Sequence, residues 1–102
     1  MQVKTFIKRD IAKIVSKNLN TSIRKSVLYT DEVFNAVREL LCKDDDYIRV
    51  EVRNFGVIES KPAKAKPKAR NPRTNEEIFV PAHKKTHFKP GKILKEHLKK
   101  PI

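Results

Sequence analysis

The chain has 102 residues, 38% hydrophobic and 35% charged, with six prolines and one cysteine, which bounds it to one small domain with a modest core. Its 24 basic residues outnumber 12 acidic ones for a formal charge of +12, shared unevenly as +2 over residues 1–60 and +10 over residues 61–102. The second half is therefore expected to meet a polyanion, nucleic acid ahead of an anionic membrane, and the absence of a membrane-length apolar run, a signal-peptide core or a second cysteine points to the cytoplasm.

Ile7, Ile11, Ile14 and Val15 recur at helical spacing among Lys8, Arg9, Asp10, Lys13 and Lys17, predicting an amphipathic helix with Thr5 as N-cap. "NLNTS" (18–22) interrupts it and offers Asn20 or Thr21 to cap a second helix from Ser22 to Cys42. That helix is apolar over a broad arc: Ile23, Val27, Leu28, Val33, Phe34, Ala36, Val37, Leu40 and Leu41. One short helix is too small to cover so wide a face, so a second copy of the chain is expected to do so in an intertwined dimer. Cys42 reads as a small core residue on this helix. "KDDD" (43–46) ends it, and Asp44, Asp45 and Asp46 read as a charged turn because the rest of a calcium-loop signature is missing.

The period then changes. Ile48, Val50 and Val52 alternate with Arg49, Glu51 and Arg53 as in a half-buried strand. "NFG" (54–56) turns the chain into a second strand beginning "VIES", a third is expected over 78–88, and "KPG" (89–91) announces a short basic helix, "KILKEHLKK" (92–100), with Ile93, Leu94 and Leu98 turned inward. The class is α+β, in the order α-α-β-β-β-α.

Between the second and third strands runs "KPAKAKPKARNPRT". Pro62 and Pro67 exclude a helix interior, so this stretch reads as extended arms joined near residues 72–76, reaching about 40 Å at about 3.3 Å per residue. Lys61, Lys64, Lys66, Lys68, Arg70 and Arg73 are donors suited to successive phosphates, and in an ideal strand Lys64, Lys66, Lys68 and Arg70 share one face. No aromatic residue lies between Lys61 and Ile78, which argues against stacking on unpaired bases. Pro72 either forms the turn alone, with Asn75 taking a left-handed conformation, or is also a wedge whose apolar ring enters between base pairs in the minor groove.

"NFGVIES", the basic arm, "RNPRTNEEI" and "FKPGKILKEHL" together resemble the bacterial histone-like HU/IHF family of DNA-bending proteins. The likeness is strongest over 54–98 and consistent in helix order over 1–46. It implies an intertwined dimer with two N-terminal helices, a three-stranded antiparallel sheet with long β-arms, and a short C-terminal helix. The whole chain, 1–102, would be one domain: 1–46 for dimerisation, 47–60 and 78–88 for the sheet, 61–77 for the arm and tip, and 91–100 for the terminal helix. Pro72 matches the intercalating proline, and Arg70, Asn71 and Arg73 match tip residues in the minor groove. Thr74 and Asn75 stand at a Thr-Gly turn, Asn54 replaces the usual glycine before Phe55, and the arm is about one residue longer than usual. Lys89, Pro90, Gly91 and Lys92 match the phosphate-holding entry to the terminal helix; Lys84 and Lys85 complete the expected DNA contacts. Val33, Phe34, Val37, Leu41 and Phe55 form the expected dimer core.

No catalytic set is apparent, so no enzyme is expected, and no cofactor or small-molecule substrate. No metal site is expected either, since His83 and His87 lie about 13 Å apart along a strand. The expected function is to bend and compact double-stranded DNA in the nucleoid, largely independent of sequence, as a homodimer or a heterodimer with a paralogue. The alternatives are a site-selective IHF-like factor, an RNA-binding structural protein, and a helix-turn-helix repressor; the near-neutral first half counts against the last.

Overall fold

The computed structural model describes residues 2–70 and 72–102, and at 66–70 and 80 the backbone only. The elements are α1 (Lys8–Leu19), α2 (Ile23–Leu41), β1 (Ile48–Val52), β2 (Gly56–Ala63), β3 (Lys66–Arg70), β4 (Glu77–Val80), β5 (His83–Pro90) and α3 (Lys92–Leu98). They fall into two compact units, Met1–Glu39 and Leu40–Ile102.

In the first unit, α1 is capped differently from the expectation. Its N-cap is Ile7, not Thr5: the Ile7 N–H donates to the Asp10 carboxylate at 2.8 Å, and the Asp10 N–H donates to the Ile7 carbonyl at 2.9 Å. A carboxylate in the first turn satisfies an otherwise orphaned donor and favours the positive end of the helix dipole. Asn20 ends α1 in a left-handed conformation, φ 50° and ψ 50°. The cap on α2 is Ser22, whose Oγ accepts from the Lys25 N–H at 3.2 Å, so neither Asn20 nor Thr21 does that work. Ala12, Ser26 and Thr30 are buried, whereas Val33 is 59% and Phe34 41% exposed. An open apolar groove of about 220 Å³, lined by Ile11, Val15, Tyr29, Thr30, Val33 and Phe34, runs along this unit.

In the second unit, three antiparallel strands lie in the order β1-β2-β5. The register Ile48↔Ser60 to Val52↔Gly56 and Gly56↔Pro90 to Ala63↔His83 sorts the side chains by strand alternation. Ile48, Val50, Val52, Ile58 and Phe88 share one face; Arg49, Glu51, Glu59, Lys61, Lys85, His87 and Lys89 share the other. β2 runs past Ser60 through Pro62, which lies beyond the last β1 pair, where an unpaired strand edge tolerates a residue without an N–H.

The third strand expected over 78–88 is two strands. Pro81 and Ala82 separate β4, which pairs with β3 in a two-stranded sheet, from β5 in the main sheet; a proline that cannot donate to a ladder suits the break. Cys42, expected in a core on this helix, is exposed and lies past the helix end at Leu41. α3 ends at Leu98 rather than residue 100, consistent with Pro101 disfavouring helical geometry at Lys100. Leu94 is half-buried, but Ile93 and Leu98, expected to face inward, are 63% and 65% exposed in the single chain: a helix this short turns only a narrow face to its neighbours.

The β1–β2 turn is closed by the Phe55 N–H on the Val52 carbonyl at 3.0 Å, with Asn54 at φ 67°. Asparagine is among the few non-glycine residues that enter this region readily. Gly56 is needed for space: a Cβ there would lie 2.4 Å from the Lys89 carbonyl oxygen and 2.8 Å from the Phe88 ring. Gly56→Ala is therefore expected to part β2 from β5, costing about 1–3 kcal/mol and lowering the melting midpoint by about 10 °C, as measured by circular dichroism.

Candidate nucleic-acid interface

The charged face of the main sheet is built around one carboxylate. Glu59 sits on the central strand with its side chain 1% exposed, and Lys89 Nζ lies 3.1 Å from its Oε1. Tyr47 donates its hydroxyl to Oε2 at 2.9 Å. Arg49 Nε stands 3.9 Å from Oε1, and Lys61 Nζ stands 3.9 Å from Oε2. Arg49 also reaches Glu51 at 3.3 Å. The cover comes from these side chains closing over a thin sheet, not from depth in a core.

The hydrogen bond from Lys89, followed by that from Tyr47, holds the Glu59 carboxyl below its ordinary value of 4.5; loss of solvent works in the opposite direction and is outweighed. The hydrogen bond that Tyr47 donates to this carboxylate pushes its own hydroxyl up from 10.0, since ionisation would lose that bond and set a phenolate against Glu59. A carboxyl lowered on folding contributes stability that is present above its unfolded value and lost as pH falls through the lower folded value. The melting midpoint should therefore fall more steeply below pH 4.5 in the wild type than in Glu59→Gln. Parallel melting curves across that range would refute this assignment.

Around this carboxylate the face is cationic, carrying Arg49, Lys61, Lys85 and Lys89 with His87 directly opposite Glu59. Lys84, grouped with Lys85 in the sequence, has the opposite parity; its ammonium donates to the Asp45 carbonyl at 2.8 Å and the Lys43 carbonyl at 3.4 Å. It thus ties the acidic loop after α2 to β5. His83 Nδ1 is 2.8 Å from the Pro81 carbonyl oxygen. Among the described residues no cluster of His, Cys, Asp and Glu is arranged to hold a metal.

The arm continues from this sheet. Lys64 lies in the gap between β2 and β3 and is exposed. β3 and β4 pair through Lys66↔Val80, Ala69↔Ile78 and Arg70↔Glu77, with a register shift between Lys66 and Ala69. The unbroken alternation needed to put Lys64, Lys66, Lys68 and Arg70 on one face is therefore absent: the strand stops at Ala63, resumes at Lys66 and changes register. A one-residue shift reverses strand parity. The side chains of Lys66, Lys68 and Arg70, and the whole of Asn71, lie outside the described residues.

Pro72, Arg73 and Thr74 form the turn at the tip, all exposed. Asn75 follows at φ 60°, the left-handed conformation expected of a residue standing where glycine is usual, and the Glu76 N–H donates to Thr74 Oγ1 at 3.4 Å. At the other end of the unit, the Gly91 N–H donates to the Phe55 carbonyl at 2.7 Å and Lys92 opens α3. A groove of about 490 Å³ between the β1–β2 turn and α3 has Arg53, Asn54, Lys92 and Ile93 among its lining residues. Phe55, still 49% exposed, stands with its ring centroid 5.1 Å from that of Phe88.

Tyr47, Arg49 and Glu59 were not singled out from sequence. The available signal was the parity shared by Arg49 and Glu59 on a cationic sheet face, which required knowing the register of β1 against β2.

Residues 6–99 match the family model described as "Bacterial DNA-binding protein". The chain is 36% identical over 92 residues to the DNA-binding protein HU of Geobacillus stearothermophilus, covering 90% of this chain and 98% of that protein. It is likewise 36% identical over 89 residues to the SPbeta prophage-derived DNA-binding protein HU 2 of Bacillus subtilis, covering 87% and 91%. Among solved structures, the Anabaena HU–DNA cocrystal structure superposes with a TM-score of 0.79 at 25% identity, over 94% of this chain and 100% of that one.

Proposed function

This chain belongs to the bacterial DNA-binding protein family that includes HU, a family of non-enzymatic DNA-binding proteins, and on that premise we propose that it bends and compacts duplex DNA with little regard to sequence. The observation that carries the proposal is the arm: a two-stranded extension of a cationic sheet face, ending in an exposed proline. Lys61, Lys64, Lys66, Lys68, Lys85, Lys89, Lys92 and the arginines of the tip neutralise phosphates, which supplies affinity without reading bases. Arg70, Asn71 and Arg73 lie in the minor groove, and Pro72 enters a base step there and kinks it. Preference among sites then follows the ease with which each deforms. Lys84 contributes from its loop anchor by fixing β5 and by its charge.

The active unit is a dimer, with 1–102 of each copy forming one DNA-binding domain. Its support is the apolar surface of the single chain: Val33, Phe34 and Phe55 remain 59%, 41% and 49% exposed, and Val37 and Leu41 are half-buried. Two identical copies place two arms on one duplex. Among the described residues no helix is long and apolar enough to cross a membrane, and the proposed place of work is the nucleoid, in the cytoplasm.

The test is a salt titration on random duplex, nicked duplex and double-stranded RNA. The logarithm of affinity should fall linearly with the logarithm of salt concentration at a slope of about −5 or steeper, as for six or more phosphate contacts, with nicked DNA bound most tightly because it bends at least cost. A nearly flat response, or equal affinity for all three ligands, contradicts the proposal.

A further inference from the structure

We propose that Glu59 is an internal counterion that limits how strongly the charged sheet face engages a DNA backbone. The inference rests on the reading above, that duplex phosphates meet this face. Glu59 lies at its centre with a side chain only 1% exposed, and its two oxygens are divided between cations on either side: Lys89 at 3.1 Å on Oε1 and Lys61 at 3.9 Å on Oε2. Lys61 continues toward the arm and Lys89 toward α3, so one carboxylate holds basic groups on both sides of the proposed backbone path. Arg49 at 3.9 Å completes the set from β1.

A phosphate that takes either lysine must compete with a carboxylate already in place. Each lysine reaches the DNA partly neutralised from within, so fewer counterions are released than the number of basic residues implies. The carboxylate also remains beside the bound phosphates as a like charge. Replacing it by an amide of the same shape removes both effects while keeping a hydrogen-bonding partner for Tyr47 and Lys89.

The experiment measures binding of full-length wild type, Glu59→Gln, Tyr47→Phe and Lys89→Gln to one duplex across a salt series by fluorescence anisotropy. Circular dichroism verifies that each variant is folded. Glu59→Gln should bind about fivefold more tightly at low salt, with a log–log slope steeper by about one to two. Tyr47→Phe removes a contact but no charge and should keep the wild-type slope. Lys89→Gln should flatten the slope by clearly less than the ~0.9 lost with an unpaired phosphate-binding lysine, which keeps the proposal open to refutation even if Glu59→Gln does not fold. An unchanged slope or weaker binding in folded Glu59→Gln, an equal steepening in Tyr47→Phe, or a full loss of that increment in Lys89→Gln would each overturn it. A flat wild-type response would instead overturn the phosphate-dominated binding mode beneath it.

Discussion

Pro72→Ala is expected to abolish most of the bend while lowering affinity by no more than about tenfold. The two effects separate because they arise from different groups. In the proposed mechanism, attraction comes from the basic side chains of the arm and sheet, and an alanine at the tip removes none of them. The kink requires a rigid apolar wedge: unstacking a base step costs a few kcal/mol, repaid only if something fills the opened step and the bent duplex gains contacts. A methyl group fills less of that gap. Pro72 is exposed at the turn, where its missing N–H breaks no ladder bond, so the substitution should leave the fold intact. End-labelled duplexes read by fluorescence energy transfer should show the ends separating, with affinity falling by about tenfold or less. An unchanged bend with retained binding would remove Pro72 from the mechanism.

Phe34→Asp should have the largest effect on the protein itself. Phe34 borders the apolar groove of the first unit and is 41% exposed in a single chain. If a second copy closes that groove, the substitution deletes a large aromatic from a core, at about 3–5 kcal/mol per subunit, and sets a carboxylate in its place without a partner. Such a total approaches the whole stability of a small domain. Sedimentation at micromolar concentration should show a dimer for the wild type and a monomeric or unfolded chain for the variant, and DNA binding should fall by at least about 100-fold because one arm alone loses the second contact. A folded Phe34→Asp that still sediments as a dimer would place the interface elsewhere.

The features legible in the sequence are those that depend on near neighbours in the chain. The apolar spacing in α1 and α2 and the alternation in β1 report a period, and a period identifies the element and its apolar face. Asn75 was expected in a left-handed conformation because asparagine tolerates it, and its φ of 60° agrees. The limits appeared wherever two local solutions competed. Thr5 is the cap the sequence suggests for α1, but the Asp10 carboxylate in the first turn takes the Ile7 N–H instead. Ser22 rather than Asn20 or Thr21 caps α2, and Asn20 closes α1. Pro81 was visible, but its effect in dividing one expected strand into β4 and β5 depends on which strand each half pairs with.

By itself, then, the amino-acid order determined the charge asymmetry, the α+β succession, the basic arm and the proline at its tip, since each rests on composition, periodicity or the restricted backbone of one residue. The tertiary structure decided which of those charges are engaged. Lys84 and Lys85 are adjacent in sequence yet take opposite parity in β5, one tied to the loop carbonyls of residues 43 and 45. Lys61 and Lys89, 28 positions apart in sequence, meet on a single carboxylate because β2 and β5 pair in a register that brings them to either side of Glu59. Cross-strand neighbours are set by pairing over long stretches of chain, and no local pattern around "VIES" encodes the identity of the cations that close over its glutamate.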